Sequence, residues 1–148
     1  MDNFTNLTAF IGGIAGFISL AIIIYKTYTE KPILKFKLKD AYFWGYDTPE
    51  NPMTSFSVSL TVSNKGQRST TIHTVTFSFE YKGKTYMPTL QAMTPTQIPP
   101  DDTKSLLFSF YMKPEEGQFS GTIEKGKLII EHTHNKLIVE VAKMREAK

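Results

Sequence analysis

Apolar and polar positions divide the chain into two regimes. From Asn3 to Tyr25 no residue carries a charge, and the stretch from Leu7 to Tyr25 is overwhelmingly apolar. As a helix rising ~1.5 Å per residue it would be about 28 Å long, close to the ~30 Å hydrocarbon thickness of a bilayer. From Pro32 onward the period changes to two. Leu34, Phe36 and Leu38 alternate with Lys35, Lys37 and Lys39, the pattern of a half-buried strand. The aromatic run Ala41-Tyr42-Phe43-Trp44 carries this strand into a loop rich in turn formers (Gly45, Asp47, Pro49, Asn51, Pro52), with Phe43 assigned to the core.

Further strands follow. Thr54 to Ser63 sets Phe56, Val58, Leu60 and Val62 against serines and Thr61, and Asn64-Lys65-Gly66 punctuates it. Ile72 to Tyr81 turns Val75, Phe77, Phe79 and Tyr81 inward. Lys82-Gly83 reads as a tight hairpin turn into Thr85 to Met87. Pro88, Pro95, Pro99 and Pro100 mark a loop or sheet edge, because proline cannot donate to a ladder. Thr103 to Met112 alternates through Leu106, Phe108 and Phe110. Lys127–Thr133 and Lys136–Lys143 pair across His134-Asn135, and Ala142 to Lys148 reads as a helical turn or a tail.

Seven or eight such strands with regular turn signals predict an all-β fold, an immunoglobulin-like antiparallel β-sandwich preceded by one N-terminal transmembrane helix. A jelly roll or small barrel is the alternative. The expected organisation is a short flank (1–6), a transmembrane helix (7–25), a basic juxtamembrane stalk (26–31), a β-sandwich domain (32–143) and a tail (144–148).

The apolar segment has two competing readings. A cleaved signal peptide needs a basic start and a small-residue cleavage site, and MDNFTNLT offers neither lysine nor arginine. A buried helix of a soluble domain would need a polar face and helical partners, which the strand-rich remainder does not supply. Orientation follows from the lysines. Lys26, Lys31, Lys35, Lys37 and Lys39 lie on the C-terminal side, and basic flanks stay in the cytoplasm. The expectation is N-terminus out, β domain in the cytoplasm, with Lys26 and Lys31 at the lipid headgroups.

Small residues recur in the segment at Ala9, Gly12, Gly13, Gly16 and Ser19. Gly12 and Gly16 form a GxxxG pair that lets helix backbones approach closely, so Gly12, Gly13, Gly16 and Ser19 are the expected helix-packing residues, toward a second copy or another subunit. Two N-x-[ST] sequons, at Asn3 and Asn6, lie hard against the membrane and read as chance.

Composition narrows the chemistry. No cysteine is present, so disulfides, thiol catalysis and cysteine-ligated zinc are excluded. The net charge of +3 is concentrated beside the membrane, and no basic block points to nucleic acid. His132 and His134 are two apart, as strand-borne metal ligands often are, but a site needs a third ligand from His73, Glu131 or Glu80. The simpler reading is a hairpin end facing water. Asp101-Asp102 after Pro99-Pro100 reads as a turn that caps the next strand, and Glu115-Glu116-Gly117 reads the same way. There is no nucleophile elbow and no phosphate-cradling loop. No cofactor, metal or small-molecule substrate is expected. Tyr42, Trp44 and Tyr46 form the densest aromatic cluster and are the candidate partner surface.

Two stretches carry a resemblance. IGGIAGFISLAIIIYKTYTEKPILKFKL joins a glycine-containing anchor to a polar stalk and an alternating strand. LTVSNKGQRSTTIHTVTFSF joins two strands across Asn-x-Gly. Together they resemble small single-pass prokaryotic membrane proteins of unknown function with an N-terminal anchor helix and an immunoglobulin-like β-sandwich. The resemblance implies architecture and carries no activity. The archaellum stator proteins also join one helix to a sandwich. They work outside the cell and carry a basic residue and glycine before the apolar segment, where this chain has Asn6-Leu7-Thr8.

The expected function is a non-enzymatic membrane-anchored module, an accessory or scaffold for a protein partner at the cytoplasmic membrane face. The alternative is an externally facing domain that binds envelope polymer or a surface layer, with Trp44 and Tyr46 stacking on sugars. A third is a metal-dependent enzyme built on His132 and His134, which needs the fold to bring a third ligand to them.

Overall fold

A computed structural model describes residues 2–46 and 53–147; for residues 2–9 and Tyr46 it describes the backbone alone. The predicted turn formers at 47–52 lie outside the described residues. The chain forms two compact units, residues 1–31 and 32–148.

The first unit is helix α1, Asp2–Thr29, which extends past the expected span at both ends and takes in the start of the stalk. Its described residues from Phe10 to Thr29 are all exposed. Phe10–Thr29 is long and apolar enough to cross a membrane. Inside the helix Ser19 Oγ donates to the Ala15 carbonyl (2.8 Å) and Thr29 Oγ1 to the Tyr25 carbonyl (2.8 Å). Both hydroxyls are thereby satisfied within the helix, so neither needs water.

The second unit is a curled, mixed sheet of nine strands: β1 (Leu34–Tyr46), β2 (Met53–Asn64), β3 (Thr70–Tyr81), β4 (Lys84–Tyr86), β5 (Thr89–Leu90), β6 (Thr96–Ile98), β7 (Thr103–Met112), β8 (Thr122–His132) and β9 (Asn135–Glu146). They run in the order β4-β3-β8-β9-β1-β2-β7-β5, with β6 on β3. Alternation puts Phe56, Val58, Leu60 and Val62 of β2 and Phe108 and Phe110 of β7 against Val75, Phe77 and Phe79 of β3 and Leu128 and Ile130 of β8, all within one core. Ring pairs cross it: Phe56–Phe79 at 5.1 Å and Phe77–Phe110 at 5.4 Å between centroids. Each fully buried phenylalanine is worth about 2–3 kcal/mol in transfer alone. Phe119 closes one end of the core, edge-on to Phe79 (5.1 Å) and Tyr86 (4.9 Å).

Bulges correct the simple alternation. In β1 the register with β2 slips between Leu38 and Asp40, so Lys39 is an extra residue. The even positions Leu34, Phe36 and Leu38 face inward before it and the odd position Phe43, fully buried, after it. The aromatic run continues the strand, as expected, and the strand extends through Gly45, expected in the loop, to Tyr46. Another slip, between Ile72 and Thr74, lets Thr70 and Ile72 share the inner face with Val75, Phe77 and Phe79. In β8, Lys125 adopts φ 58° at a slip that brings Gly126 inward. A methyl group on Gly126 would lie 3.1 Å from both Phe77 and Val141, so only glycine fits without repacking.

Three sequence expectations are corrected. The sheet is mixed, because β9 runs parallel to β1 at Tyr42–Arg145 and Phe43–Glu146. The segment after Lys143 is strand, neither helical turn nor tail: Met144 is buried in the core and Ala147 N donates to the Phe43 carbonyl (2.7 Å). The buried side chains of Val141 and Met144, together with pairing to β8 and β1, outweigh the helix-forming composition of AKMREAK. The β8 strand starts at Thr122, ahead of the expected Lys127, with Ile123 in the core.

Three polar residues are buried among the described ones, Ser57, Asn64 and Thr70, and Asn64 carries the largest polar group. Asn64 is fully buried at the end of β2. Its Nδ2 donates to the carbonyls of Arg68 (2.7 Å) and Ile98 (3.2 Å). Its Oδ1 accepts from the backbone of Gly66 (3.0 Å) and Ile33 (3.3 Å). Asn64→Ala removes all four contacts and leaves buried backbone groups unpaired, so a loss of about 3 kcal/mol is expected. Urea unfolding of the fragment 32–148, which forms its own compact unit, measures it. A loss below about 1 kcal/mol would show that water replaces the side chain.

Candidate interaction face

The outward face of β1, β2 and β7 carries the aromatic pair Tyr42 and Trp44 and the alternating lysines of β1. The pairing of β1 with β2 and of β2 with β7 sets them in rows: Lys35–Ser63–Thr103, Lys37–Thr61–Ser105, Asp40–Ser59–Leu107, Tyr42–Ser57–Ser109 and Trp44–Ser55–Tyr111. Lysines occupy the end where β1 begins, and aromatics the end where it finishes. Between them runs a floor of hydroxyls.

At the lysine end the contacts are polar. Lys39 Nζ donates to Ser105 Oγ (3.0 Å), and the Ser63 and Thr103 hydroxyls lie 2.8 Å apart. At the aromatic end, Tyr42 and Trp44 stack with centroids 5.3 Å apart and planes at 25°. Tyr42 is exposed, Trp44 is half-buried, and Ser57 in the row of Tyr42 is buried. Arg145 of β9 pairs with Tyr42 on its other side and is exposed. Sequence reading missed Tyr111 and Arg145. The alternation Leu107-Ser109-Tyr111 was visible, but only strand pairing sets Tyr111 in the row of Trp44. The side chain of Tyr46 lies outside the described residues.

In the helix unit, Gly12, Gly13 and Gly16 have open space where a side chain would stand. Lys26 and Lys31 are exposed.

The histidines lie around the turn between β8 and β9. His132 ends β8, but Thr133 and His134 form the turn, so the two rings do not project as neighbours on one strand face; their centroids are 6.5 Å apart. His132 Nδ1 accepts from the His134 backbone N–H (3.4 Å) and lies 3.0 Å from Thr70 Oγ1. His73 Nε2 lies 3.2 Å from Thr133 Oγ1. Among the described residues no group of three metal-ligating side chains is gathered there or elsewhere. The Pro99–Asp102 segment is a turn, with Asp102 Oδ1 accepting from Thr103 N (2.8 Å). At the β3–β4 hairpin, Lys82 (φ 50°) and Gly83 (φ 77°) form the expected tight turn. The cleft beside it, lined by Glu80, Tyr81, Lys82 and Lys125 among others, is open to solvent.

No family model matches the chain, and no curated protein matches it. Among solved structures it is similar to a FixG-related protein from Vibrio parahaemolyticus, at 12% identity and TM-score 0.47, covering 78% of this chain and 97% of that one. It is similar to a protein from Archaeoglobus fulgidus, at 12% identity and TM-score 0.42, covering 76% and 99%. A third is the putative ApaA protein from Bordetella pertussis, at 10% identity and TM-score 0.39, covering 77% and 92%.

Burial, and next the charge of His134, hold the His132 pKa below the ordinary 6.5. The unfolded chain then binds a proton more readily than the folded one. Stability is fully present above about pH 6.5 and falls as pH drops through that value toward the depressed folded pKa. His132→Gln should flatten this dependence between about pH 7 and pH 5. Urea midpoints of both proteins across that range check it; parallel curves would show that His132 is not the group responsible.

Proposed function

We propose that this chain is a single-pass, non-enzymatic membrane module whose β domain serves a protein partner as an accessory or scaffold at the cytoplasmic membrane face. The observation that carries the reading is the aromatic end of the outward face, where Tyr42 stays exposed and stacked on Trp44 on an ordered strand. Large rigid rings on a fixed scaffold lose little freedom on binding, which suits them as interface anchors. One face of each ring is already used in the Tyr42–Trp44 stack. That favours a protein partner over a sugar, which would dock on a free ring face. The strand order, wrapped over one core, supports an immunoglobulin-like sandwich as the architecture.

The helix supplies the tether. Confinement to the membrane raises the effective concentration of the domain for a partner held there. The five lysines from Lys26 to Lys39 support the cytoplasmic orientation.

Photo-crosslinking residues placed at 42 and 44 of the full chain in cells should give one discrete protein adduct. The same residue at 138, exposed on the other half of the sheet, should not. Adducts of equal yield at 138, or none at 42 and 44, would overturn the partner reading. A C-terminal reporter facing outward would remove the cytoplasmic orientation and promote envelope binding. In the helix, Gly12→Ile with Gly16→Ile should lower association in membranes about tenfold if close backbone approach holds it. Förster transfer between labelled chains in vesicles measures this, and unchanged transfer would remove the small-residue face from the interface.

A further inference from the structure

We infer that the row Lys35, Lys37 and Lys39 is a docking face for the anionic headgroups of the same bilayer that holds α1; this rests on the membrane-anchored reading. The expected headgroup contacts were Lys26 and Lys31, before the domain. The structure adds a second set on the folded sheet.

Three observations carry it. The three side chains are exposed, and strand geometry spaces Lys35 and Lys37 about 6.6 Å apart on one face. Lys39 shares that face: its Nζ reaches Ser105 on β7 across the outer surface, and the bulge changes the phase only after it. Their surroundings suit an anion. The rows Lys35–Ser63–Thr103 and Lys37–Thr61–Ser105 contain hydroxyls and no carboxylate, and Asp40 stands one row beyond.

The third observation is reach. Only residues 30–33 separate the end of α1 from the start of β1. Six residues from Thr29 to Lys35 span at most about 20 Å when fully extended. The tether therefore bounds Lys35 to within about 20 Å of the helix end and lets the lysine row reach the headgroups. A lysine row that comes within about a Debye length, ~8 Å at physiological salt, of an anionic surface is drawn onto it. A lipid surface is the occupant the tether itself delivers. A soluble polyanion would have to compete with it.

The test uses the full chain in vesicles of phosphatidylcholine alone and of three parts phosphatidylcholine to one part phosphatidylglycerol. Flotation with the neutral vesicles establishes anchoring. Amine acylation, read by mass spectrometry, then compares Lys35, Lys37 and Lys39 with Lys127, exposed on the other half of the sheet. Acylation of the three lysines relative to Lys127 should slow about threefold or more in the anionic vesicles. The difference should vanish near 0.5 M salt, where the Debye length is only about 4 Å.

Equal acylation in both vesicles would overturn the proposal while leaving the anchor intact. A chain that does not float would remove the anchored reading and this proposal together. Trp44, the single tryptophan of the chain, reports how far docking extends. Quenching by brominated lipid would support docking along the whole face and count against a protein partner at the aromatic end. Protected lysines with an unquenched Trp44 would support both readings.

Discussion

The β domain is organised around one buried amide. Asn64 has two donor hydrogens and an acceptor oxygen with two lone pairs, and all four are engaged. The partners come from the segment leading into β1, the turn after β2, and β6. Two backbone bonds reinforce the knot: Lys65 N donates to the Ile33 carbonyl (2.8 Å) and Asn64 N to the Asp102 carbonyl (3.0 Å). An irregular turn can be buried at this end because the side chain supplies what a sheet ladder would. A shorter or purely acceptor side chain cannot satisfy two carbonyls and two amides at once. Ile33 is bonded through both its N–H and its carbonyl, which fixes the entry into β1 against the end of β2, an interior strand of the sheet.

The second constraint is the bulge at Lys39. A perfect period of two along the whole of β1 would put Tyr42 and Trp44 in the core and Phe43 in solvent. The inserted residue reverses that. The stalk end of β1 presents lysines outward, the far end presents aromatics outward, and one continuous apolar face still meets β2 and the core. The two surface chemistries thus share one strand without disturbing the packing beneath them. The parallel contact of β9 with Tyr42 and Phe43 fixes the far end, so the aromatic pair stands on a backbone paired on both sides.

Much of this was legible in the sequence, and the gaps have physical causes. The apolar helix and the strands β1, β2, β3 and β7 follow from period alone, because each has one buried face and few polar interruptions. The Lys82-Gly83 and Pro99–Asp102 turns follow from local backbone chemistry. Bulges escaped because each merely shifts a phase, as at Lys39 and Lys125. The end of β9 escaped because AKMREAK has helix-forming residues, and only the pocket awaiting Met144 decides for strand. Asn64 read as ordinary turn punctuation, since its partners Ile33 and Ile98 are distant in sequence. Tyr42 and Trp44 were visible as a cluster; Tyr111, Arg145 and the hydroxyl floor depend on strand pairing, which no local pattern encodes.

The interior and the surface divide the work of the chain. Among the described residues no buried side-chain nitrogen or oxygen lacks a hydrogen-bond partner. The polar knot at Asn64 holds the fold together. Outside the core lie a helix whose described residues are exposed and a sheet face with lysines at one end and aromatics at the other. A face of that kind gains its use from how it is held. The thirteen residues of β1, about 40 Å long, set the lysine end and the aromatic end at opposite ends of one strand. The direction of one strand thus separates the basic chemistry of the face from its aromatic chemistry.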